Sequence, residues 1–228
     1  MLVPVRLPPN EAAKVQAACT QADAVLVFNP GGWGDASLEE ADDFRPILQG
    51  MKGAIEECGY SSVIVPYLRT MGGLAGRLAG MKDQILSFRY SSPKQQREIR
   101  DLALAFPQKR FILVGFSTGG GLTGKTLPHL ENLSNVLGIT VGVPGWFTTF
   151  HSEKSLVLNN SGKDPLVAGD IYSVTLHVMR APYVWLKARF RGQKLSLPLA
   201  FHFPNHEYTW YSLEVGPPIN RFLRSRLP

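Results

Sequence analysis

The chain has 228 residues, 44% of them hydrophobic and 18% charged. That length and balance describe a globular chain of about one domain with a sizeable core, and exclude a disordered one. The formal charge of +6 is compatible with acidic substrates, anionic lipid surfaces or nucleic acid, and equally with a solvated surface that happens to be basic.

No apolar run reaches the roughly 18–20 residues of a membrane span, and no charged segment followed by a long apolar core marks a signal peptide. The expectation for compartment therefore leans to the cytoplasm. Cys19 and Cys58 are the two cysteines. One pair makes no disulfide framework, and both read as reduced packing residues.

In chain order, residues 1–21 read as a leader, with prolines at 4, 8 and 9 and a short helical segment from Glu11 to Thr20. Asp23–Phe28 is a short buried strand that opens into the glycine-rich loop Asn29–Ser37. Asp35 or Ser37 is placed to cap a following helix, with Glu39, Glu40, Asp42 and Asp43 in its first turns and Gly59 as its stop. Ser62–Tyr67 is a second strand. Residues 69–92 read as a flap or substrate-wall insertion, within which Met71–Phe88 is a weak amphipathic helix or a mobile flap. Pro93–Phe106 is a polar-faced helix on the outside of a sheet.

The third strand, beginning at Arg110, runs into Gly115-Phe116-Ser117-Thr118-Gly119 and then a helix from Thr118 to Leu133. A strand that turns sharply into a helix forces the corner residue to positive φ, and side chains on either side of it would collide with the turn. Glycines at 115 and 119 fit that demand. Ser117 is left at the tip, beside the backbone amides of the helix N-terminus, where a developing negative charge is favoured. This is the pattern of a nucleophile elbow.

Val136–Val143 is a fourth strand, followed by an aromatic loop with Pro144, Trp146, Phe147 and Phe150. Ser155–Asn159 is a fifth, ending at Asp164-Pro165. Asp170–Phe190 is largely apolar and helical, bent or split at Pro182, and leads into basic residues. An apolar face beside basic residues fits transient contact with a lipid surface; a core helix with a solvated basic end is the preferred reading. Leu197–Phe203 is a final strand delivering His206, and Asn220–Arg226 a terminal helix. Alternating strands and helices give an α/β fold: a three-layer sandwich with a mostly parallel sheet of about six strands, in a single domain spanning 1–228. Sites in such sheets form at the carboxyl ends of strands.

A serine is a poor nucleophile until a base takes its proton and a third group orients the base. Three strand ends supply Ser117, Asp164 and His206, in the order found with nucleophile elbows. Asp170 and His202 are the substitute acid and base, and His129, His151 and His177 read as surface or packing residues. No His/Cys pair has metal-site spacing, so no metal is expected.

A rival motif overlaps the elbow. Gly119–Thr126 fits G-x-x-x-x-G-K-T, a phosphate-cradling loop. Against it, Ser117 and Thr118 intervene after the strand, no strand ends in an aspartate suited to Mg²⁺, and Asp164, His206 and the loop Gly31–Gly34 are left without a role. A further alternative is a non-catalytic ligand-binding protein on a hydrolase scaffold, which the intact constellation argues against.

The chain resembles a compact α/β-hydrolase, similar in size and plan to cutinase-like serine esterases and the smallest bacterial lipases. The resemblance covers roughly residues 22–226. It is carried by the elbow, by Ser161–Val167 around Asp164, by Asn205-His206-Glu207-Tyr208, and by Gly31-Gly32-Trp33-Gly34-Asp35, which is similar to the family's His-Gly-x-Gly loop. Gly31 stands where the family often has His. The resemblance implies ester hydrolysis through an acyl-enzyme, with Ser117 as nucleophile, His206 as base and Asp164 as its orienting acid. It also implies backbone N–H groups of Thr118 and Trp33 as oxyanion donors, and no cofactor. Gly32, Trp146 and Phe147 are the expected substrate contacts. The expected partner is a small-molecule or lipid ester with an apolar acyl chain; no nucleic acid is expected, and oligomeric state is not legible.

Overall fold

The computed structural model of the protein describes residues 10–192, 203 and 206–227. Five parallel strands make the sheet: β1 (Ala24–Asn29), β2 (Ser62–Pro66), β3 (Arg110–Phe116), β4 (Val136–Val141) and β5 (Ser155–Leu158), in the order β2-β1-β3-β4-β5. These are the strands expected from the apolar runs. The sixth, Leu197–Phe203, falls outside the described residues but for Phe203.

Alternation along the strands assigns each side chain to one of two cores. Leu26, Phe28, Ile112, Val114, Ile139 and Val141 face one way. They pack on α2 (Arg45–Glu57) and the terminal helix α7 (Gly216–Arg226), which contributes Ile219 and Leu223. Val25, Val27, Phe111 and Leu113 face the other way. They pack on α1 (Glu11–Cys19) and α4 (Ser91–Ala105), through Val15, Ile99 and Leu102. Both faces of the sheet are thus buried, which is why its strands read as nearly continuous apolar runs. Cys19 is buried, Cys58 is partly so, and both are free thiols.

The helix expected from Ser37 onward starts later. Ser37 and Glu40 do exchange reciprocal bonds, the Ser37 amide donating to Glu40 Oε2 at 2.9 Å and the Glu40 amide to Ser37 Oγ at 3.4 Å. Turns follow, and α2 begins at Arg45 with Pro46 in its first turn. A proline has no N–H to give, so it fits best in the first turn, where that N–H would have no helical partner. Gly59, at φ 88°, ends it as the sequence suggests.

Residues 73–85 form a helix, α3 (Gly73–Ile85), and 118–126 form α5 (Thr118–Thr126), which passes into a 3₁₀ turn at Leu127–Leu130 where Pro128 sits. Ile171–Phe190 is one helix, α6, continuous through Pro182. The expectation that it is a core helix is overturned: of its described side chains only Ala181 and Ala188 are buried, while Tyr172, Met179, Tyr183 and Phe190 are exposed. Among the described residues no helix is long and apolar enough to cross a membrane.

Candidate active site

The chain runs from β1 out to β2 and returns to β3 on the other side of β1, so the strand order reverses between β1 and β3. Crevices in open α/β sheets open at such a reversal, beyond the carboxyl ends of the strands. Asn29 and Gly115 pair across it. The glycine-rich loop leaves one strand and Ser117 follows the other.

Ser117 sits between β3 and α5 at φ 51° and ψ −122°, a conformation costing on the order of 1–3 kcal/mol in a residue with a side chain. The surroundings impose it. A Cβ on Gly115 would lie 2.4 Å from Thr123 Oγ1 and 2.5 Å from the Gly119 carbonyl oxygen, and one on Gly119 would lie 2.1 Å from the Asn29 carbonyl oxygen. Only hydrogen fits at either position, so α5 can sit directly on the ends of β1 and β3. Below the corner is a buried polar cluster that the sequence reading missed. Asn29 Nδ2 donates to Thr123 Oγ1 at 2.8 Å, Gln95 Nε2 donates to Asn29 Oδ1 at 2.6 Å, and Thr123 Oγ1 donates to the Gly119 carbonyl at 3.0 Å. A lone Asn closing the apolar run of β1 was the available signal.

The loop after β1 passes Ser117 at Gly31, where a Cβ would lie 3.3 Å from Ser117 Cβ. Arg69 holds this loop and was also missed. It is 1% exposed, and its Nη2 lies within reach of the carbonyls of Pro30 (3.2 Å) and Gly32 (3.0 Å) and of Thr118 Oγ1 (3.2 Å). Thr118 Oγ1 donates to the Gly32 carbonyl at 2.8 Å, and Gln84 Nε2 of α3 donates to the same oxygen at 2.5 Å. Burial pulls the Arg69 guanidinium down to about 10, against the pull of Asp83 and Asp35 in the other direction. It stays charged at neutral pH.

Asp164 follows β5 and is fully buried. His206 Nδ1 donates to Asp164 Oδ2 at 2.6 Å, the Tyr208 hydroxyl to the same oxygen at 2.9 Å, and the Leu166 amide to Oδ1 at 2.9 Å. Burial by itself would raise the carboxyl's pKa; the hydrogen bond and charge of His206, with the Tyr208 and Leu166 donors, outweigh it and hold the group below the ordinary carboxylate value. The Tyr208 hydroxyl is pushed up, by burial first and then by the Asp164 charge. The His206 ring is wedged between Phe116, at 5.4 Å between centroids, and Tyr208, at 5.7 Å and edge-on. Its Nε2 is buried and has no hydrogen-bond partner among the described residues.

Ser117 and His206 line one cavity of about 700 Å³, together with Gly31, Gly32, Phe28, Phe44, Phe116 and Tyr208. Gly32, one of the expected substrate contacts, lies on this lining. Trp33, Trp146 and Phe147 are not on the lining. Trp33 is 42% exposed, and Phe147 packs on Phe88 at 5.0 Å and over Gly121. Gly121 leaves room for the Phe147 ring, which a Cβ there would meet at 2.8 Å. Asp170, the substitute acid, is used as the N-cap of α6, accepting from the Ser173 amide at 3.0 Å. His202 lies outside the described residues.

The phosphate-loop alternative does not form. Gly119–Thr126 lies inside α5, with its amides turned along the helix axis, and Cβ positions on Gly120 and Gly124 would meet Val143 and the Thr148 carbonyl. These glycines are small for close packing.

No protein-family model and no curated protein matches the chain. Among solved structures 31 chains match. One is a Trichoderma reesei cutinase in complex with a C11Y4 phosphonate inhibitor, with a TM-score of 0.51 and 12% identity over 96% of this chain and 87% of that one. At that identity the likeness speaks for architecture: the chain has a cutinase-like α/β-hydrolase fold, a parallel five-stranded sheet between helical layers.

Proposed function

We propose that the protein is a serine esterase that cleaves carboxylic esters of apolar acyl chains through an acyl-enzyme. The observation that carries this reading is the buried Asp164–His206 bond, whose imidazole lines the same cavity as the strained Ser117. With Nδ1–H donated to Asp164, the neutral ring keeps its lone pair on Nε2, the nitrogen left without a partner. That is the state a general base needs.

In the proposed reaction the Ser117 oxygen attacks the ester carbonyl carbon while its proton passes to His206 Nε2. Asp164 stabilises the imidazolium that forms. The tetrahedral oxyanion is held by the Thr118 amide at the start of α5 and by an amide of the Gly31–Gly32 stretch, which lines the cavity in place of Trp33. One such donor is worth ~3 kcal/mol in the transition state. Collapse expels the alcohol, which takes the proton from His206. Water then attacks the acyl-enzyme with His206 again as base, and Ser117 is released with the acid. Phe28, Phe44 and Phe116 offer an apolar wall to the acyl chain.

The test is a chain-length series of p-nitrophenyl esters with wild type and Ser117→Ala, alongside a fluorophosphonate probe read by peptide mass spectrometry. Turnover falling by about three orders of magnitude or more, with the label on Ser117, is the expected result. A wild-type protein that binds the esters but neither turns them over nor takes the label would be a binding protein on a hydrolase scaffold.

A further inference from the structure

Among the described residues, helix α6 has a buried side and an exposed one. At 3.6 residues per turn, Tyr172, Met179, Tyr183, Leu186 and Phe190 fall within an arc of about 60°. They are exposed by 78%, 74%, 64%, 46% and 89%. Ala181 and Ala188, the buried residues, lie on the opposite side. From Tyr172 to Phe190 the stripe is about 27 Å long at 1.5 Å per residue. An exposed apolar stripe of this length is costly in water and marks a surface that is covered in use.

Charge decides what covers it. Arg180, Lys187 and Arg191 border the stripe on one side and Arg189 stands on the other, all exposed. No Asp or Glu occurs between Asp170 and Glu207. A second copy of the helix would bring cations against cations, with no carboxylate to answer them. A surface that is apolar below and anionic above answers both features: side chains enter the acyl region while the flanking cations meet the headgroups. The aromatic residues suit that boundary, having apolar rings with polar edges.

The stripe is placed to matter for the cavity. The helix follows β5 and α3 follows β2, the two outermost strands of the parallel sheet, so both leave the edge where Ser117 sits. On α3, Leu74, Leu78, Met81 and Ile85 recur at spacings of four, three and four and are also exposed. The inner side of α6 reaches the site through His177, whose ring lies 4.5 Å from that of Phe203, and the Phe203 carbonyl accepts from the His206 amide at 3.2 Å.

We propose that the outward stripe of α6 seats the protein on an anionic phospholipid surface. The docking stands on the helix alone; that it delivers bilayer-borne esters to Ser117 rests on the esterase reading. The test floats the full chain, as Ser117→Ala to prevent turnover, with vesicles of phosphatidylcholine alone or mixed with phosphatidylglycerol. The protein is expected to rise with the mixed vesicles and not with phosphatidylcholine alone, and to be released by salt. Met179→Ser/Tyr183→Ser/Phe190→Ser is expected to lower the bound fraction about tenfold or more. In an otherwise wild-type chain the same changes should leave the melting temperature and the turnover of soluble p-nitrophenyl butyrate unchanged. If that triple variant does not fold, Arg180→Glu/Arg191→Glu must abolish flotation instead. Failure to float, flotation indifferent to these substitutions, or self-association in sedimentation that the stripe variant removes would each overturn the proposal. Vesicle binding by a wild-type chain without soluble-ester turnover would sink the esterase reading and leave the docking standing.

Discussion

His206 Nδ1 and Asp164 Oδ2 are 2.6 Å apart, and the carboxylate that accepts this bond has no surface exposed to solvent. A wholly buried carboxylate survives only with its charge answered, and here His206, Tyr208 and the Leu166 amide answer it together. Asp164→Asn keeps the shape but can place an NH₂ group against Nδ1, which then holds the lone pair and leaves the proton on Nε2. Under the esterase reading kcat should fall by about three to four orders of magnitude with little change in KM. Steady-state kinetics on a soluble ester measure this, and a loss of under about tenfold would remove Asp164 from the mechanism.

The same group predicts an acid limit to stability. The folded pKa of Asp164 lies below the ordinary carboxylate value, so its contribution is fully present at neutral pH. It fades as pH falls below the ordinary carboxylate value and is gone once pH passes the folded one. Urea midpoints measured from neutral pH down into the acid range should drop more steeply in the wild type than in Asp164→Asn. Parallel curves would mean the bonds to Asp164 contribute nothing net.

Much of this arrangement was legible in the chain, and for identifiable reasons. The strands were readable because both sheet faces are buried, which leaves unbroken apolar runs such as Phe111–Val114. The elbow was readable because a strained corner tolerates so few residues that Gly115, Ser117 and Gly119 nearly spell it. The start of α2 was misplaced because Ser37 and Glu40 make a capping exchange without a helix following directly. Arg69 and Gln95 escaped notice because their partners are far along the chain: Arg69 is 39 residues from Pro30, and Gln95 is 66 from Asn29. The apolar face of α6 was seen but assigned to the core, because periodicity reports which residues share a side and says nothing about what that side meets.

Ser117 makes an unusual prediction about stability. At φ 51° and ψ −122° any side chain is strained and glycine is not. Ser117→Ala removes the hydroxyl and keeps the strain, whereas Ser117→Gly removes both. The glycine variant should therefore be more stable than the alanine variant by about 1 kcal/mol, after the loss of backbone entropy glycine brings. Denaturant melts of the two variants decide it. Equal stability would mean that the corner is relaxed.

Arg69 should act on turnover without touching substrate. Its Nη2 reaches Pro30 and Gly32 on one side and Thr118 on the other, tying the glycine loop to the first residue of α5. If the oxyanion lies between these two segments, loosening the tie costs transition-state stabilisation more than ground-state binding. Arg69→Met fills similar space with no donor. It should lower kcat by about ten- to a hundredfold with KM nearly unchanged, and Arg69→Lys, which keeps a charge and a donor, should recover part of it. A change in KM alone, or a lysine variant as poor as methionine but equally stable, would count against a positioning role.

The closest approach in the site gives the sharpest packing prediction. A methyl group on Gly119 would sit 2.1 Å from the Asn29 carbonyl oxygen and 2.6 Å from that of Pro30, both backbone atoms. No rotamer change can relieve this, so α5 must lift from the end of β1. The lift would stretch the bond from Asn29 Nδ2 to Thr123 Oγ1 and draw Ser117 away from His206. Gly119→Ala should cost about 2 kcal/mol or more of stability and reduce fluorophosphonate labelling of Ser117 even at temperatures where the variant is folded. Gly53→Ala is the control, since nothing lies within 4 Å of its Cβ position on α2. It should be neutral or slightly stabilising, because alanine favours a helix by up to about 1 kcal/mol over glycine. A Gly119→Ala variant as stable and as readily labelled as the Gly53→Ala control would show that the elbow is looser than its contacts require.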